Sequence, residues 1–135
     1  MSYLASHLQQ IGALTLQHLA LVFSSLGLAL VMALPLGIYA ARVPRASALL
    51  FGLLGAIYVI PSLAALAILV RYGGLGAIPV IVVLVAYAQF ILVRNIAAAL
   101  RAVPAAQLDA ARGIGMSPWQ QFWRVEIPLA SPVMI

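Results

Sequence analysis

The sequence has no cysteine, no lysine and only two acidic residues, Asp109 and Glu126. Without cysteine there are no disulfides and no thiolate metal sites, and no redox compartment can be read from the chain. His7 and His18 stand eleven residues apart with no acidic neighbour, so no metal site is expected, and nothing in the residues implies a cofactor. Charge of any kind is scarce: 7% of residues are charged and 66% are hydrophobic, with a mean hydropathy of +1.17. Soluble domains carry roughly a quarter charged residues, and a 135-residue globule built from this composition could not cover its surface with polar groups. A water-soluble domain is excluded. The expected fold class is all-α, a polytopic membrane helix bundle.

The charged residues that are present define the spans by their spacing. Residues 1–41, 46–70 and 72–93 contain no Asp, Glu, Lys or Arg, and each run reaches the roughly 20 residues that a helix needs to cross about 30 Å of hydrocarbon. Helices are expected near 16–41, 47–70 and 76–100. A cleavable signal peptide is the rival reading of the first run, which is too long and lacks a positive start. All seven bases are arginine. With the Arg42/Arg45 loop inside, Arg94, Arg101, Arg112 and Arg124 also lie inside and only Arg71 lies outside. The N-terminus is then extracytoplasmic and the C-terminal third cytoplasmic. No basic run could track a phosphate backbone, so no nucleic-acid partner is expected.

Within the spans, Ser24, Ser25, Gly27, Pro35 and Gly37 on the first helix and Gly52, Gly55, Pro61 and Ser62 on the second suit close helix packing with kinks. Ser62, Tyr58, Tyr87 and Gln89 are the candidates for lining a path, and Gln89 is the best single one, since an uncharged donor and acceptor in lipid needs a reason, although an interhelical hydrogen bond is reason enough. No intramembrane carboxylate precedes Asp109, which counts against a proton- or cation-coupled carrier.

The composition changes over residues 103–126, which hold both acids and are expected to face water and headgroups. Pro104 suits the first turn of a helix, and Ala105–Arg112 are good helix formers. Gly113 and Gly115 can supply a left-handed stop. Ser117, Pro118 and Gln120 read as a capping box opening a second short helix. On it Trp119, Phe122 and Trp123 share one side, as an interfacial belt beside a snorkelling Arg124. Asp109 and Arg112 can pair at i, i+3. The small residues Ala105, Ala106, Ala110 and Ala111 would let the first of these helices lie in a partner's groove.

Asp109-Ala110-Ala111, three residues, Gly115, nine residues, Val125, one residue, Ile127-Pro128 resembles the cytoplasmic signature of ABC importer permeases. That signature has Glu, Ile and Leu where this chain has Asp109, Val125 and Ile127. Pro35-Leu36-Gly37, Ile60-Pro61-Ser62-Leu63, Gly74-Leu75-Gly76, Arg94-Asn95 and Ala110–Met116 are similar to permeases for quaternary-amine osmoprotectants such as glycine betaine, choline and carnitine. Where these often carry a proline shortly before the Arg-Asn pair, this chain has Gln89-Phe90-Ile91, which predicts a straighter third helix. The resemblance implies a translocation subunit in a bacterial inner membrane. Asp109, Ala110, Ala111, Gly115, Val125, Ile127 and Pro128 would couple it to an ATP-binding-cassette ATPase. Its other implied partners are a second permease copy or homologue and an extracytoplasmic solute-binding protein. Gly73-Gly74 and Gly76 lack a following Lys-Ser/Thr, so ATP chemistry would belong to the partner. Such permeases continue for further helices after the signature, so a chain truncated at its C-terminus is expected, with residues 127–135 starting the next helix. A permease for methionine or an amino acid, a secondary carrier and a purely structural membrane subunit are the alternatives.

Overall fold

A computed structural model describes residues 7–134. The tail expected on the extracytoplasmic side, residues 1–6, and Ile135, in the segment expected to continue into a further span, lie outside the described residues. The described elements are helical throughout. α1 is Leu8–Arg42, α2 Pro44–Val59, α3 Ser62–Gly73, α4 Ala77–Arg101, α5 Ala105–Gly113 and α6 Pro118–Gln121. A π-helical turn over Phe122–Glu126 then leads directly into α7, Ile127–Met134.

α1 has 35 residues, roughly 50 Å at 1.5 Å per residue, so it starts well before the expected Leu16 and overshoots the hydrocarbon. α4 is uninterrupted over 25 residues, with Pro79 confined to its first turn. Both are long and apolar enough to cross a membrane. The second expected helix, 47–70, is not one rod. α2 and α3 meet at an 82° bend, so among the described residues two helices qualify as spans, or three if the bent pair is counted as one. The cause is Pro61: it has no N–H to donate, and it forces Ile60 out of the helical region to φ −63°, ψ 130°.

α1 and α4 form the main packed pair, with α2, α3 and α7 also laid against α4. On α1 the contact face is Ser25, Ala29, Ala33, Gly37 and Ala40, all at three- or four-residue spacing; Ala29, Ala33 and Ala40 are completely buried. Such a small-residue ridge lets two backbones approach closely in lipid, where association depends on packing contacts rather than on expulsion of water. Opposite it stand Val93, Ile96, Ala97 and Leu100 of α4, and Val103 and Ala130 complete the core. Gly27, which the composition also offered for packing, has open space beside it. The opposite faces of α1 expose Leu16, Phe23 and Val31, as expected where lipid is the solvent.

Candidate functional site at the arginine-rich end

At the end of the bundle where α1 finishes and α4 gives way to α5, the chain builds a small protrusion. Pro104 is the N-cap of α5 rather than part of its first turn. The helix is stopped by a Schellman arrangement. Gly115, at φ +81°, donates its N–H to the Arg112 carbonyl at 2.9 Å, and the Met116 N–H reaches the Ala111 carbonyl at 3.1 Å. Gly115 alone supplies the left-handed residue; Gly113 stays helical. The chain then re-enters helix through a full capping box, in which the Gln120 N–H donates to Ser117 Oγ at 3.3 Å and the Ser117 N–H to Gln120 Oε1 at 3.0 Å. One stop and one start within a few residues fix the path of the turn between α5 and α6.

α5 has two faces. Leu108 packs against the core, and Ala111 is buried. Asp109, Ala110, Gly113 and Ile114 are exposed, and so are Ala105 and Ala106. The four alanines therefore do not share one outward face: Ala111 is used by the fold itself. Asp109 and Arg112 pair at 3.1 Å with both side chains largely in solvent, a contact that contributes only tenths of a kcal/mol.

The second helix is not short. α6 passes through the π turn into α7 without a break, and the Ile127 N–H donates to the Phe122 carbonyl five residues back. One residue more than an α turn is accommodated here, and this changes which side chains face inward. Gln121, Glu126 and Ala130 are buried, at spacings of five and four residues. Trp119 and Trp123 stand edge-to-face at 5.6 Å and remain exposed, and the half-buried Phe122 meets Trp123 edge-on at 5.4 Å, so the three aromatics form one cluster whose inner edge reaches the core. Val125 and Ile127 are half-buried and Pro128 is exposed.

Glu126 overturns the expectation that both acids face water and headgroups. It is buried, and its Oε2 accepts from Arg42 Nη2 at 2.5 Å. Arg101 reaches the same end of α1: its Nη2 donates to the Ala40 carbonyl at 2.5 Å and its Nε to Ala41 at 3.5 Å. A guanidinium on the last carbonyls of a helix meets the negative end of its dipole. Arg42 and Arg101, which the sequence offers only as topology charges, thus tie α1, α4 and the π turn together. The signal for Glu126 was its place between Val125 and Ile127, since an acid within an apolar run needs a partner.

The four path-lining candidates separate into two places. Gln89 is buried between α1 and α4, its Nε2 donating to the Ala29 carbonyl at 3.1 Å while its Oε1 has no partner. Its other neighbours include Leu28, Met32 and Val85 around an apolar cavity of about 300 Å³. Tyr87, two residues earlier and so on a different face of α4, turns to the Pro61 break and donates its hydroxyl to the Ile60 carbonyl. That carbonyl has lost its helical donor, because the Ala64 N–H bonds Pro61 instead. Tyr58 joins Tyr87 there, with ring centroids 6.1 Å apart, and stacks on Phe90 at 5.1 Å. Ser62 is exposed on the far side of the break, on a cleft shared with Leu66, Val80 and Leu84. Among the described residues no group of three or more His, Cys, Asp or Glu could hold a metal ion.

A bundle of apolar helices long enough to cross a membrane, with a short, largely exposed helix at one end, defines a polytopic membrane protein. The chain belongs to the family described as binding-protein-dependent transport system inner membrane component, whose model matches residues 33–135. It is 34% identical over 121 residues to the choline transport system permease protein OpuBB of Bacillus subtilis, covering 90% of this chain and 56% of that protein. The glycine betaine/proline betaine transport system permease protein ProW of Escherichia coli is 37% identical over 117 residues, 87% of this chain and 33% of that one. The osmoprotectant import permease protein OsmY of Salmonella typhimurium is 40% identical over 122 residues, 88% and 51%. The chain spans about half the length of the curated relatives it matches.

Proposed function

We propose that this chain is part of the translocation subunit of an ATP-driven importer for quaternary-amine osmoprotectants, with glycine betaine, choline and carnitine as the solute class. The observation that carries the reading is α5: a short helix with Asp109 and Ala110 turned outward, Ala111 turned into the fold and Gly115 as its stop, the four residues standing at the spacing of the permease signature. Membership of the permease family and relatives named for choline, glycine betaine and osmoprotectant transport support the solute class. The subunit itself is non-catalytic. It has no phosphate-binding glycine loop, so hydrolysis belongs to an ATPase that receives α5.

In this mechanism the arginine-rich end is cytoplasmic, as retention of arginine in short inner loops favours. The ATPase pair closes on nucleotide and draws two copies of α5 together, one from each permease. Because the α5–α6 turn is capped on both sides, the displacement passes to the spans instead of being absorbed locally. An extracytoplasmic binding protein delivers the solute. In this reading Tyr58, Tyr87 and Ser62, around the Pro61 break, line the path, and Gln89 serves the α1–α4 seam.

The test is reconstitution of the full-length protein with its ATPase and binding protein in proteoliposomes. Glycine betaine, choline or carnitine should stimulate ATP hydrolysis and be taken up. Stimulation by methionine or another amino acid instead would reassign the solute, uptake without ATP would make the protein a secondary carrier, and ATPase binding without solute flux would leave it a structural subunit.

A further inference from the structure

The buried carboxylate of Glu126 has no part in the signature, yet it sits where α5, the π turn and the end of α1 converge. The π turn is what turns it inward: Gln121 and Glu126 share the buried face at a spacing of five residues, and Ala130 continues that face four residues on. In an unbroken α-helix, at 3.6 residues per turn, the side chain would point roughly 100° away from that register, off Arg42. The Arg42–Glu126 contact therefore depends on the π register. The segment so held neighbours α5, and Phe122 on the one and Leu108 on the other pack against the core that contains Ala40.

We infer that Arg42 and Glu126 are the positioning pair through which movement of α5 reaches the end of α1. The inference rests on the importer reading above. A π turn supplies what coupling between distant sites requires, an element with two discrete arrangements that both sides can bias. With the ion pair made, the turn is locked and a push on α5 displaces Arg42 and the last turn of α1. With it lost, the extra residue can leave the turn, α7 rotates, and the push is dissipated.

The test uses the full-length permease with its ATPase and binding protein in proteoliposomes, reading solute imported per ATP hydrolysed. Glu126→Gln and the neutral pair R42Q/E126Q should assemble with the ATPase and hydrolyse ATP, yet lose about tenfold in that ratio, the size of an ordinary coupling between sites. Arg42→Lys, which keeps the charge, should retain it. A wild-type ratio in R42Q/E126Q would overturn the inference, and so would failure of that neutral pair to assemble, which would make the contact purely structural. Absence of ATP-dependent uptake in the wild-type complex would instead overturn the importer reading.

Discussion

Gly37 of α1 lies against Ile96 of α4 so closely that a β-carbon built on the glycine would stand 2.6 Å from Ile96 Cγ2, 2.7 Å from its Cβ and 3.3 Å from the Val93 carbonyl oxygen. Real β-carbons do not approach atoms at the first two distances, so the α1–α4 seam exists in this form only because position 37 has no side chain.

Gly37→Ala should therefore push the two spans apart. Overpacking of this kind costs about 1–3 kcal/mol, to be seen as a lower midpoint of thermal unfolding in detergent. Ile96→Ala should relieve it only in part, because the β-carbon of residue 96 remains. A double-mutant cycle with no coupling between the two positions would contradict the contact.

Gly115 has open space where a side chain would go, so its requirement is backbone geometry alone. Gly115→Ala should cost roughly 1–2 kcal/mol for a left-handed residue, with faster hydrogen exchange at the Gly115 and Met116 amides. Gly115→Asn should be milder, because asparagine tolerates that region. In the assembled importer a bulky residue here is expected to separate ATP hydrolysis from uptake while membrane insertion persists; full uptake would count against α5 as the coupling element.

Tyr87→Phe removes the hydroxyl that satisfies the Ile60 carbonyl at the break. An unsatisfied carbonyl costs about 1–3 kcal/mol where water cannot replace the lost donor. Exchange at residues 62–64 should rise, since the break would be held less firmly. Unchanged exchange would mean that Pro61 alone sets the bend.

Gln89→Leu should leave stability within about 1 kcal/mol. The Ala29 carbonyl keeps its helical donor, and the substitution also removes a buried Oε1 that has no partner. Uptake should follow the amount of assembled complex. A selective loss of uptake at normal assembly would put this amide in the solute path.

Much of the architecture was legible because lipid makes strict demands on composition. Uncharged runs long enough to span leave few alternatives to helices, and the stop at Gly115 and the start at Ser117 follow from local backbone and side-chain hydrogen bonds that need no distant partner. The ridge of Ser25, Ala29, Ala33 and Gly37 is also written in the chain, at an even period of four. What hid it was the neighbouring Ser24 and Gly27, equally small and equally eligible until a facing helix selects one side. Pro61 was visible as a kink, but its 82° angle depends on where α2 and α3 find packing against α4.

Helical content, the apolar spans and the capped protrusion were thus determined by residues close in sequence, because their causes are local: hydropathy, backbone freedom and caps. The partners of charged and amide groups were decided only by the folded chain. Arg42 and Glu126 are 84 positions apart, and a π turn that no local pattern announces is what aims one at the other. Long-range electrostatic contacts depend on helix rotation to within a fraction of a turn, and only packing fixes that rotation.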